Sequence, residues 1–448
     1  MRLAFKIAIV AFMTIAILVP LSMIRGVIHE REEYRARAVA DIARSYAGAQ
    51  SFAGPVLVVP YTETVEVEEA DANNIVRKVM RARTRHWTFF PTTLDVRGPM
   101  VPDTRKRGLH EVRVFEWKGT AKARFDAVIP NEGDPANRQI GRPWLSYGIA
   151  DVRGLRATPV LRIDGRVATL LEGLGSRTGS GLHVRLDAPQ PGQVLAFDTQ
   201  LDMLLGGTES LALVPLGKSN RFELDSTWRH PSFGGVSPRH DIGANGFNAS
   251  WDIASVASNA QRDYVEGGFS LPDMQLGIAN MKGLDAVGVS LIDPIDIYTQ
   301  ADRATKYGLL FVLLTFVGFF IFELIKQLPI HPIQYGLVGM ALAIFFLLLV
   351  SLSEHFEFVY AYLAASVACI GLLGFYLSAV LRSAARGLGF AAMLATLYAA
   401  LYGLLVSEDN ALVLGAGLLF LVLATVMVVT RKVDWYQLAG ARPAVRQA

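Results

Sequence analysis

The sequence predicts a polytopic α-helical membrane protein of six transmembrane helices, carrying a large β-rich, antiparallel, sandwich-like domain across the membrane from its N-terminus. Three observations carry that prediction. An apolar run opens the chain at Phe5–Ile24, five more fill the C-terminal third, and residues 54–293 alternate short strands with Gly, Pro, Asn and Asp clusters. Composition agrees, since 52% of the 448 residues are hydrophobic and the mean hydropathy is positive, too apolar for a wholly soluble chain. A formal net charge of +3 without a basic cluster, much of it beside the apolar runs, predicts no nucleic-acid partner. Cys369 is the single cysteine and lies in an apolar run, so the β domain must hold together without a disulfide.

The first run follows Arg2 and Lys6 and continues into Ile24, Arg25, Gly26 and Val27 without a small-x-small cleavage site. It reads as an uncleaved anchor and not a signal peptide, with residues 1–25 as cytoplasmic N-terminus and span. Residues 26–53 read as a helical stalk: Glu33 and Arg37 are four apart, and Tyr34, Ala38, Ile42 and Tyr46 form a thin apolar stripe. That stripe is expected to pack on the domain that follows.

Residues 54–304 form the β-rich domain. Leu182, Val184 and Leu186 alternate with His183, Arg185 and Asp187, while Phe222, Leu224 and Trp228 alternate with Arg221, Glu223, Asp225 and Thr227. Period two means one buried and one wet face. Asp164-Gly165, between Val160–Ile163 and Arg166–Leu170, reads as a two-residue hairpin turn. His230, His240 and Asp241 lie in a Gly/Pro-rich stretch, 230–248, whose spacing fits no tight ligand pattern, and it reads as an ordinary loop. Glu132, Asp134, Arg138 and Arg142 read as solvated loop charges, and five of the six Trp residues fall in this domain as packing groups.

Residues 305–436 form the five-helix bundle, and 437–448 a cytoplasmic tail. Residues 333–352 fit one bilayer core at about 1.5 Å per residue. Charge threads the runs: each inner turn carries Lys or Arg, as at Lys326, Arg382, Arg386, Arg431 and Lys432, whereas the two short outer turns carry none. Both termini are therefore expected in the cytoplasm. The outer turns hold Glu354, His355 and Glu357, and Glu408 and Asp409, a candidate polar cluster at the outer mouth of the bundle. Helix capping and docking of the β domain are its expected roles, with Arg303 and Lys306 as first candidate partners; cation binding and acid-base chemistry are the alternatives. An inner turn motif, His331, Pro332, Gln334 and Tyr335, reads as a helix start, since Pro suits a first turn.

Several long motifs resemble one family. GPVLVVPY at Gly54–Tyr61, LIDPIDIYTQADRATKYG at Leu291–Gly308, HPIQYGLVGMALAIFFLLLVSLSEHFEF from His331, EDNAL at Glu408–Leu412 and TRKVDWY at Thr430–Tyr436 resemble the CreD family of inner-membrane proteins, described as cell envelope integrity proteins. The resemblance spans both parts of the chain and departs at Phe356 and Glu357, where a glycine is expected. It implies a bacterial inner-membrane location, a periplasmic β domain, control by a two-component sensor-regulator pair, and a place in envelope-stress and β-lactam responses. It brings no catalytic residue. The residues themselves show no G-x-S-x-G, S-x-x-K or H-E-x-x-H pattern, so no cofactor, metal or catalytic group is predicted. A structural or interaction role fits best, with the lipid bilayer and other envelope proteins or lipids as partners; an envelope-modifying enzyme, or a lipid or small-ligand binding or transport protein, is the alternative.

Overall fold

A computed structural model of the chain describes residues 3–70, 76–108, 110–131, 138–175, 177–266, 285–291, 297–326, 330–407 and 411–431. The described residues fall into two compact units, one drawn from the stretches 1–35 and 295–448 and the other from 36–294. Helix α1, Leu3–Tyr46, belongs to both. Anchor and stalk are thus one unbroken helix, because nothing after the apolar run, Gly26 included, disfavours helix strongly enough to stop it.

The β unit holds β1 (Gln50–Ala70), β2 (Val76–Phe89), β3 (Thr93–Arg107), β4 (His110–Val128), β5 (Arg138–Ile140), β6 (Trp144–Ile149), β7 (Val160–Ile163), β8 (Arg166–Ala168) and β9 (Leu171–Leu174). It continues with β10 (Arg177–Arg185), β11 (Val194–Thr208), β12 (Ser210–Val214), β13 (Ser219–Ser226), β14 (Ser232–Gly234), β15 (Arg239–Gly243), β16 (Gly246–Ala254), a short helix α2 (Ala260–Glu266) and β17 (Val287–Ser290). One sheet runs β14-β17-β12-β1-β6-β10-β9, with β2 and β5 also on β1; the other runs β15-β16-β13-β3-β4-β11-β7-β8. Both sheets are mixed, since β1 pairs parallel with β12 and β3 parallel with β13. The expected all-antiparallel arrangement is corrected there: residue periodicity reports which face is buried and not the direction of the neighbour, and both parallel pairs join strands far apart in the chain.

The sheets share one apolar core, with Phe52, Leu57 and Tyr147 from the first and Phe115, Trp117, Phe125 and Phe222 from the second. The alternation read in β13 is present, with Phe222 and Leu224 buried and Arg221 and Asp225 exposed. Asp164 and Gly165 have φ of 47° and 76°, as a two-residue hairpin turn requires. His183 is the exception. It is buried, with Nδ1 3.0 Å from the Gly173 carbonyl oxygen, because the first sheet is covered on its other face too, by Trp144, Leu174, Val214 and Tyr264.

The helical unit adds α3 (Ile297–Lys326), α4 (Pro332–Ser353), α5 (Phe358–Val380), α6 (Ala384–Val406) and α7 (Ala411–Thr430) to the first part of α1. α1 and α3 to α6 each contain a stretch long and apolar enough to cross a membrane, and the described side chains of α7 form a shorter apolar stretch, Val413–Val428. Successive helices from α3 to α6 pack on one another, and α3 also meets α6. Their core is aromatic, with Phe311, Phe316, Phe345, Phe346 and Tyr398, and Ile17, Leu21, Ile24 and Ile28 of α1 join it. Phe375 and Phe420 point away from it and are exposed, as lipid-facing residues are.

Candidate functional site

The turn between α4 and α5 puts Glu354 at the C-terminal cap of α4. Its carboxylate lies 3.4 Å from Nε of Arg31 in α1, and its side chain is only 10% exposed against 41% for Arg31. Arg31 is not one of the partners expected for this turn. Lys306 pairs instead with Asp302 one turn away, at 2.7 Å, and Asp302 also meets Arg25 of α1 at 3.3 Å. The reason is the continuous α1, whose charged residues follow its apolar run directly and supply cations to both α3 and α4. His355 and Glu357 are exposed, Glu357 as the N-cap of α5 without a side-chain cap bond. Glu408 and Asp409 lie outside the described residues.

In the turn before α4, His331 is the N-cap of that helix. Its Nδ1 accepts from the N–H of Ile333 at 3.3 Å, and Oε1 of Gln334 accepts from the N–H of His331 at 3.0 Å, with Pro332 in the first turn. That is a reciprocal capping box. Tyr335 does something else: its hydroxyl donates to Oε2 of buried Glu323 at 2.8 Å, and its ring packs 4.7 Å from that of Phe319. Deeper in the bundle the Tyr398 hydroxyl lies 3.1 Å from Sγ of Cys369, and the Tyr362 hydroxyl donates to the Tyr398 carbonyl oxygen at 2.7 Å.

The stretch 230–248 is not simply a loop, since it contains β14, β15 and the start of β16. Its three candidate residues do not converge. The His230 carbonyl accepts from Nε1 of Trp228 at 2.7 Å, His240 packs on Phe233 with ring centres 5.2 Å apart, and Asp241, next along β15, lies on the opposite face from His240. No group of three His, Cys, Asp or Glu side chains suited to a metal occurs among the described residues. Arg138 lies over the stacked rings of Tyr61 and Trp87, at 5.1 and 5.4 Å, and 3.7 Å from Glu63. Arg142 pairs loosely with Asp187, while Glu132 and Asp134 lie outside the described residues.

The most elaborate polar site was not among the sequence candidates. It is where α1 ends in the β unit. The last residues of a helix leave carbonyls without intrahelical partners, and here three nearby carbonyls are bonded by side chains from distant segments. Arg153 donates to the Arg44 carbonyl at 3.2 Å, Arg156 to that of Tyr46 at 2.8 Å, and Thr208 Oγ1 to that of Ala47 at 2.6 Å. Two cations at a helix C-terminus also suit its partial negative charge. Below them Asp151, 5% exposed, accepts from the Gly48 N–H at 3.1 Å and forms an ion pair with Arg153 at 2.6 Å. Gln50 completes the joint by donating to the carbonyls of Asp151 and Gly206, both at 2.9 Å.

Burial pushes the Asp151 carboxyl up, but the Arg153 guanidinium and the N–H groups of Gly48 and Arg153 outweigh it and hold the group below its ordinary value. Ala47 has φ of 141°, a conformation L-residues rarely adopt, kept by bonds on either side of it. Gly154 has no room for a methyl group, since a Cβ there would come within 2.2 Å of the Gly206 carbonyl oxygen. The apolar stripe finishes the contact, with Ile42 packed on Val112 and Val114 of β4. The arrangement is suited to holding a helix end, and its polar groups are engaged with one another.

A multi-pass helical unit joined through one long helix to a large mixed-sheet domain, with polar groups used in joints, defines an integral membrane protein with an extramembrane β domain. The family model described as "Inner membrane protein CreD" matches residues 2–436. The inner membrane protein CreD of Escherichia coli strain K12 is 34% identical over 424 residues, covering 94% of this chain and 91% of the relative. The chain therefore belongs to the CreD family, a multi-pass protein of the inner membrane with a periplasmic domain.

Proposed function

We propose that this protein supports cell envelope integrity by a structural or interaction role, without chemistry of its own, and that it acts within an envelope-stress and β-lactam response under two-component control. Six spans, counting α7, with both termini cytoplasmic, are the topology of this reading, and the charge of the inner turns supports it. The observation that carries the reading is α1. One unbroken helix is held to the bundle at Arg25 and Arg31 and to the β unit by the Asp151, Arg153 and Arg156 joint, the construction of a mechanical link.

The test is complementation of a strain lacking the chain, challenged with detergent and with a β-lactam. The wild type and His240→Ala are expected to restore growth, and an Arg153→Ala, Arg156→Ala double variant of normal abundance to fail. Loss of protection on alanine substitution of His230, His240 or Asp241, at normal abundance, would replace this reading with a chemical one.

A further inference from the structure

The distal half of the β1–β2 hairpin stands out from its sheet. β1 and β2 pair along Leu57–Ala70 and Val76–Phe89, whereas the other described neighbours of β1 end at Glu63, which faces Arg138, the first residue of β5. Among the described residues, Thr64–Ala70 and all of β2 therefore keep one hydrogen-bonding edge unpaired, and Lys78–His86 are exposed. An open edge of this length is a template for another strand. Charge is segregated between the two strands. Thr62–Ala70 contains Glu63, Glu66, Glu68 and Glu69 and no cation, while β2 contains Arg77, Lys78, Arg81, Arg83 and Arg85 and no acid. Within the hairpin this complementarity is already used, with Lys78 3.3 Å from Glu66 and Arg85 2.9 Å from Glu63.

We propose that this ribbon joins copies of the chain, the basic edge of β2 in one copy adding to the acidic edge of Thr64–Ala70 in the next. Of the three edge pairings open to two copies, β2 on β2 sets cations against cations and β1 on β1 sets carboxylates against carboxylates, both unfavourable across strands. Only β2 on β1 is complementary. The charges that would normally protect an exposed edge thus block the like pairings and leave the unlike one open. The contact is head-to-tail, so it builds rings or rows and not a two-fold dimer. A ribbon edge of this size is weak in dilute solution, and confinement of both copies to one membrane raises their effective concentration.

The test uses full-length protein, labelled with donor or acceptor dye, in proteoliposomes at low protein-to-lipid ratio, read by energy transfer. A charge-swapped variant carries Glu66→Lys, Glu68→Lys, Lys78→Glu and Arg81→Glu, which keeps net charge and restores complementarity inside the ribbon. Wild type with wild type, and swapped with swapped, should transfer energy above the random level, whereas wild type with swapped should fall to it. Equal transfer in all three mixtures would place association elsewhere, and random transfer in all three would mean no self-association; either overturns the proposal. Should the swapped protein misfold, a ribbon shortened by joining Val65 to Arg81, which face each other across the strands, through Asn-Gly keeps the test open. Its expected result is loss of transfer, and retention would overturn the proposal.

Discussion

The guanidinium of Arg156 donates to the carbonyl oxygen of Tyr46 at 2.8 Å and lies 3.9 Å from the centre of the same residue's ring. One side chain thereby satisfies the last turn of α1 and covers its terminal aromatic. Arg156→Ala removes both contacts, and because Arg156 is exposed the expected loss is about 1 kcal/mol. Arg156→Lys keeps the charge but not the planar stack and should lose less. Urea unfolding of the full chain, followed by tryptophan fluorescence, measures both; equal stability of all three proteins would show that the contact contributes nothing.

Asp151 makes the same joint sensitive to acid. Its carboxyl titrates lower in the folded protein than in the unfolded chain, so the ionised form favours folding. The contribution is full above the unfolded carboxylate value of about 3.9 and is lost as pH falls through the lower folded value. Asp151→Asn should destabilise the protein at neutral pH and flatten the fall in stability below about pH 4. A variant whose acid profile parallels that of the wild type would assign the fall to other carboxylates, Asp202 first among them: burial raises its carboxyl, but bonds from Thr120, Gln200 and Arg162 hold it below its ordinary value.

Why the bundle was legible in the sequence and this joint was not is a matter of chain distance. Apolar length, a helix start marked by Pro332 and a turn in two residues are local patterns, and the start of α4 and the turn at Asp164-Gly165 appear as expected, whereas the capping box at His331–Gln334 was not foreseen. The joint assembles residues 44–50, 151–156 and 206–208, each an unremarked polar segment alone. The nearest sequence signal is Asp151 two residues before Arg153, the start of a one-turn 3-10 helix capped by the Asp151 side chain. The basic strand β2 was equally hidden. Its cations alternate with Val79, Met80, Ala82 and Thr84, so they read as a strand's wet side chains and not as a cluster until the edge beside them is seen to have no partner strand among the described residues.

Topology gives a direct expectation. If the tail is cytoplasmic, as proposed, and the β unit periplasmic, single cysteines at Asn245 and Arg442 in a Cys369→Ser background should label from opposite sides of the membrane. Asn245 sits in the β15–β16 turn, where substitution disturbs no buried contact. Labelling of both from one side would remove α7, or another helix, from the set of spans.

The ion pair between Arg31 and Glu354 predicts an asymmetry. Glu354 is 10% exposed and Arg31 41%, so removing either partner leaves the other in a different solvent. Glu354→Ala frees an arginine that water solvates readily, and should cost less than about 1 kcal/mol. Arg31→Ala leaves a largely buried carboxylate without this cation, a desolvation cost of about 1–3 kcal/mol. The double variant should therefore resemble Glu354→Ala and be more stable than Arg31→Ala alone. Cys369 supplies the measurement, since it is the chain's single thiol and is buried in the bundle, so a thiol-reactive dye reports opening of the helices as the detergent-solubilised protein is heated. Equal single effects that simply add in the double variant would show that the two side chains do not act as a pair, and the link from α1 to α4 would have to rest on the apolar contacts of Ile24 and Ile28.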